Sequence, residues 1–96
     1  MRDIREVVEE YFKENGFKDL MECGASDDEG LYDISGVVAN CLVEAGYLVD
    51  YNYAEDGLGD GKYVIHIGYL GKDNVYDLYA WDGVDDVVEI IKNILK

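Results

Sequence analysis

The chain is short of positive charge: eight Lys and Arg stand against 22 Asp and Glu in 96 residues, a formal net charge of −14. It also has no proline, one histidine, one tryptophan and only two cysteines. Each shortage excludes something. Nucleic acid and anionic membrane surfaces would both repel such a chain, so direct binding to either is not expected. No apolar run approaches the roughly 18 to 20 residues of a membrane span. The opening Met1-Arg2-Asp3-Ile4-Arg5-Glu6 is charged and lacks the apolar core of a signal peptide, so a cytoplasmic location is expected. Cys23 and Cys41 have neither CxxC spacing nor a histidine nearby in sequence, the pattern of reduced intracellular thiols and not of a zinc or disulfide framework. No cofactor or metal is therefore expected. With no repeat, low-complexity linker or proline-rich break, a single domain over residues 1–96 is expected.

What the chain does have is apolar periodicity. Hydrophobic residues make up 49% of it, enough for a packed core despite the charge. Residues 3–15 repeat Ile4, Val7, Val8, Tyr11 and Phe12 at helical spacing, between an Asp3 N-cap and a stop at Gly16. Residues 17–23 fit either a helical turn or a short strand, and 24–30 have loop composition. A second helix is predicted over 34–45, opened by Asp33 or Ser35. Its apolar residues wrap nearly the whole circumference, leaving Asn40 and Glu44 polar, so it should be the central buried helix. Three strands near 47–55, 62–70 and 75–81 are joined by short turn-forming runs and predict an antiparallel meander. Asp82 then caps a final amphipathic helix over 84–95. The expected architecture is α+β in the order α-α-β-β-β-α.

From residue 33 onward the order helix, three-stranded meander, helix is similar to the topology of double-stranded-RNA-binding domains. Those domains carry a basic cluster at the start of the last helix. This chain reads Trp81-Asp82-Gly83-Val84-Asp85-Asp86 there, which reverses the charge, so RNA binding is not implied.

Strand alternation suggests Val49, Tyr51 and Tyr53 on the core face with Tyr63, Ile65, Ile67 and Tyr69. A four-residue loop at 71–74 would pair Ile67 with Leu78 and Ile65 with Ala80, turning Tyr76, Leu78 and Ala80 inward. The same register gathers Asp50, His66 and Tyr79 on the outer face, with Asn52, Val64 and Trp81 beside them and Asp77 near Gly68. Aromatics among acids make a good binding surface. Residues 3–15 could instead cover that face and bury Tyr79 and Trp81. Residues 56–60 do not make a calcium loop, since Leu58 and Ile67 fall where oxygen ligands are required.

The acids themselves point to function. Residues 19–33 carry Asp19, Glu22, Asp27, Asp28, Glu29 and Asp33; 44–60 carry Glu44, Asp50, Glu55, Asp56 and Asp60; 73–89 carry Asp73, Asp77, Asp82, Asp85, Asp86 and Glu89, with no basic residue expected to compensate them. Spacings of about 5 to 7 Å between carboxylates on strands and helices approach those of neighbouring phosphates. In composition and size the chain resembles phage-encoded acidic inhibitors of the anti-CRISPR and anti-restriction kind. The resemblance implies a non-enzymatic protein that fills the basic nucleic-acid groove of a defence nuclease or effector complex. The contacting residues would be Asp27, Asp28, Glu29, Asp50, Glu55, Asp56, Asp60, Asp77, Tyr79, Trp81, Asp82, Asp85 and Asp86. An immunity protein or antitoxin against a basic nuclease toxin follows the same physical logic. A small catalytic or metal-binding domain built on His66 is the alternative of another class.

Overall fold

A computed structural model of the chain describes residues 2–16, 18–20, 28–56 and 61–96, and the side chains of these residues except 28–33 and 56. The order is α1 (Ile4–Asn15), α2 (Asp28–Glu44), β1 (Tyr51–Asp56), β2 (Lys62–Tyr69), β3 (Lys72–Tyr79) and α3 (Val84–Ile94). The α+β architecture is as expected. The three strands form one antiparallel sheet in the order β1-β2-β3.

α1 starts where Asp3 accepts from the Arg5 N–H and ends where Gly16 turns left-handed at φ 73°. A left-handed residue is cheap only without a Cβ, so the stop falls on glycine. α2 begins at Asp28, six residues before the expected start. Part of the segment with loop composition is therefore helix, and acids in a first turn are favourable beside the positive end of the helix dipole. α3 is capped by Gly83 and not by Asp82: the Gly83 N–H donates to the Asp86 carboxylate at 3.1 Å, while Asp82 folds back to accept from the Tyr79 N–H at 2.9 Å.

The core is α2. Ile34, Val37, Val38, Ala39, Cys41, Leu42 and Ala45 are all buried, and only Val43 departs from the expected apolar wrap by pointing outward. One side of α2 packs on β1 and β2; α1 and α3 pack on each other and on α2. Val7, Val8 and Phe12 from α1, Ile65, Ile67 and Leu78 from the sheet, and Val87, Val88 and Ile91 from α3 complete the cluster. Burial raises the Cys41 thiol pKa to about 12, so this cysteine is inert.

The hairpin between β2 and β3 is tighter than expected. Tyr69 pairs with Lys72, so the turn is only Leu70-Gly71, with φ of 52° and 77°. Two positive φ values in a two-residue loop mark a type I′ turn, whose twist matches that of the strands. The register is therefore Ile67 with Asn74, Ile65 with Tyr76 and Tyr63 with Leu78, four residues from the expected pairing. An even slip keeps every side chain on its face, so Tyr76 and Leu78 do point inward as expected. Asn74, which by composition reads as a turn residue, is a buried strand residue whose amide donates to the Ile67 and Lys72 carbonyls at 3.1 and 3.2 Å.

The face of β1 is inverted relative to expectation. Asn52 and Ala54 pair with Ile67 and Ile65 on the inner face, while Tyr51 and Tyr53 pair with Gly68 and His66 on the outer one. The reason lies on α2. Ser35 is fully buried among apolar neighbours, and Asn52 Nδ2 donates to its hydroxyl at 2.9 Å. A buried hydroxyl without such a partner costs about 1 to 3 kcal/mol.

Two stability measurements follow from this packing. Leu42→Ala should cost about 2 to 5 kcal/mol in urea unfolding through lost burial and a cavity, whereas Val43→Ala on the exposed side should stay within about 0.5 kcal/mol. Equal effects would contradict a central α2. Leu70 is 82% exposed and holds a left-handed conformation that disfavours a side chain. Leu70→Asn should therefore stabilise the protein by about 1 kcal/mol, and a destabilised variant would show that the turn differs from type I′.

Candidate interaction face

All three helices lie on one side of the sheet. The other side is uncovered among the described residues, because α1 packs on α3 and α2 instead of crossing the strands. The expectation that residues 3–15 could cover this face is thus not realised.

Three rows cross the uncovered face, read from β1 through β2 to β3. They are Glu55, Val64 and Asp77; Tyr53, His66 and Val75; and Tyr51, Gly68 and Asp73. Tyr51, Tyr53 and Val75 are 43%, 40% and 49% exposed. Gly68 makes the last row possible. A Cβ there would lie 2.2 Å from the Tyr51 ring, so only glycine lets that ring lie flat across the strand. The Tyr51 hydroxyl then donates to Asp73 Oδ1 at 2.7 Å.

The sole histidine sits in the middle. His66 Nδ1 is 3.1 Å from Asp73 Oδ2 and Nε2 is 2.9 Å from Glu55 Oε2. A neutral imidazole has one N–H, so bonding both carboxylates requires the imidazolium. The Tyr53 ring stacks on it with centroids 4.2 Å apart and planes within 7°, and Tyr51 stacks in turn on Tyr53 at 6.0 Å. Partial burial opposes the charge on His66, but the hydrogen bonds to Asp73 and Glu55 outweigh it and the pKa is raised. Asp73 is held below the usual carboxylate range by the Tyr51 hydroxyl first and by His66 second. The Tyr51 phenol is pushed up to about 12, chiefly by the same hydrogen bond to Asp73. Asp50, expected beside His66, instead accepts from the Gly71 N–H at 3.1 Å at the β2–β3 turn.

The remaining expected site residues scatter. Tyr79 and Trp81 stack at 4.9 Å at the far end of the sheet, with Trp81 exposed and resting close to Gly61. Asp77 meets Lys62 at 3.4 Å and Asp85 meets Arg5 at 2.6 Å. These cations come from other elements, so the 73–89 stretch is not uncompensated as expected. Asp86 caps Gly83, and Asp82, raised by burial despite the bond from Tyr79, supports the turn before α3. Asp27 and Asp60 lie outside the described residues, as does Cys23; Asp28 and Glu29 start α2 and Asp56 ends β1, with side chains outside the description. Asp77 and Tyr79 remain on the outer face, and Glu55 reaches it because the face of β1 is inverted. Tyr51, Tyr53 and Asp73 also lie on this face, where the sequence reading did not place them. The signal that would have found them is Ser35, a polar residue in an apolar helix to which an inward Asn52 donates.

Comparison with protein-family models, curated protein sequences and solved structures gives no significant match. Among the described residues, no helix is long and apolar enough to cross a membrane, and no three His, Cys, Asp or Glu side chains could together hold a metal ion.

The clamp makes a pH prediction with a definite sign. Its His66 contribution to stability is whole below the unfolded pKa, near the ordinary 6.5, and is lost as pH rises through the higher folded value. The Asp73 contribution is present above its unfolded pKa and is lost as pH falls through the depressed folded one. An NMR titration of the single histidine should give a folded pKa above that of the urea-unfolded chain, lowered by either Asp73→Asn or Glu55→Gln. A folded pKa at or below the unfolded one would falsify the clamp.

Proposed function

We propose that the chain is a non-catalytic binding protein that docks its outer sheet face on the positively charged, nucleic-acid-handling surface of another protein and excludes the nucleic acid. One observation carries the reading: an uncovered sheet face presents stacked, exposed tyrosines set among carboxylates. Tyrosines bury large area at low entropic cost, and Arg or Lys of a partner would meet both ring faces and acids there. The net charge of −14 adds long-range attraction to any basic groove. Both His66 nitrogens are engaged by carboxylates, which leaves neither open for proton transfer to a substrate and favours binding over catalysis. A defence nuclease or effector complex is the partner class that the acidity fits best.

The test is pull-down of a basic nucleic-acid-binding protein followed by displacement of its DNA or RNA. Association should slow as salt rises, since the attraction is screened over about 10 Å at 0.1 M. Tyr51→Ser with Tyr53→Ser should raise the dissociation rate at least about tenfold, whereas Asp77→Asn should mainly slow association. A bound partner that keeps its nucleic acid at saturating protein rules out exclusion.

A further inference from the structure

Among the described residues β3 is an edge strand, and its side away from β2 opens into a groove against α3. In the β2–β3 hairpin the hydrogen-bonded pairs alternate from Tyr69 and Lys72. Ala80, whose N–H donates to the Gly61 carbonyl at 2.8 Å, continues that alternation. The N–H and C=O groups of Asp73, Val75 and Asp77 therefore point away from β2, toward the open edge. Tyr79 is the next in that series, and its N–H is already taken by the Asp82 side chain at 2.9 Å. That bond closes the edge at one end.

Two adjoining hollows of about 330 and 360 Å³ line this edge and share Tyr76 and Asn93. Tyr76 and Ile90 form an apolar floor. The hollow toward the end of β3 is rimmed by Asp77, Asp82, Asp86 and Glu89, the other by Lys72 and Lys96. The groove is thus polarised: acidic where β3 ends and basic where it begins.

We propose that this groove takes an extended, basic segment of a partner protein, added as a fourth strand beside β3. Three residues of β3 offer main-chain bonds, alternate side chains of the segment enter the groove over Tyr76 and Ile90, and its cations meet Asp86 and Glu89. The polarity sets its placement, with the basic half beside the end of β3 and an acidic group or terminal carboxylate beside Lys72 and Lys96. Asp77 and Tyr79 border both this groove and the outer face, but Tyr51 and Tyr53 do not line the groove, so the tyrosine pair separates the two sites.

An eight-residue peptide alternating Lys and Val, with a free carboxylate, spans about 27 Å when extended and serves as the probe. Saturable binding is expected by fluorescence anisotropy, with slowed amide hydrogen exchange at Asp73, Val75 and Asp77. N-methylation of alternate peptide amides should weaken binding at least tenfold in one of the two registers, and a Glu/Val peptide should not bind. The pair Asp86→Asn and Glu89→Gln, checked for an unchanged fold by circular dichroism, should weaken binding several-fold. Tyr51→Ser with Tyr53→Ser should leave it unchanged. Absence of saturable binding, indifference to N-methylation in both registers, or loss with the tyrosine pair would each overturn the groove as a strand-docking site.

Discussion

A helix that is apolar around most of its circumference must be covered on more than one side, and α2, with only Asn40, Val43 and Glu44 exposed along 34–44, is such a helix. The sheet covers one flank and α1 with α3 covers the other. Every described helix is drawn to the same side of the sheet by that one requirement. Among the described residues the bare outer face follows from it, since no described helix is left over to cover the strands. The open sheet face and the core thus have a common origin in the composition of residues 34–45.

Within that packing a polar pair accompanies the orientation of β1 and so what the outer face carries. Ser35 is buried in the α2 contact and takes its hydrogen bond from Asn52. With Asn52 turned inward, the alternation of β1 sends Tyr51 and Tyr53 outward. Gly68 then gives the Tyr51 ring somewhere to lie, and the ring carries its hydroxyl to Asp73. Arg5 acts in a similar way across the helices, linking α1 to Asp85 at the start of α3. Exposed pairs of this kind contribute little stability; the folded state rests on the core and tolerates the charge around it.

Element types and order were legible because long apolar periods leave few alternatives: α1, the burial of α2, the meander and α3 all follow from spacing. What was not legible depended on contacts between distant residues. Tyrosine counts as apolar in an alternation yet stands well at a surface, so β1 read from hydrophobicity alone faces the wrong way. Gly71-Lys72-Asp73-Asn74 has turn composition, but the turn falls on Leu70-Gly71 and Asn74 is spent inside the sheet on two carbonyls. The acids of 73–89 seemed uncompensated because Arg5 and Lys62, which pair with two of them, lie far away in sequence. For the site, Asp77 and Tyr79 were readable on the outer face, whereas Glu55 and the clamp on His66 needed the true face of β1 to appear.

His66 gives the molecule a further property. It is the only side chain whose ordinary pKa lies in the physiological range, and it is held in the middle of the exposed face. Its proton therefore sits at one known place on that face. A ligand that brings its own cation to Asp73 or Glu55 competes with that proton and expels it. Proton uptake or release on binding near neutral pH then acts as a built-in reporter of whether the outer face is occupied.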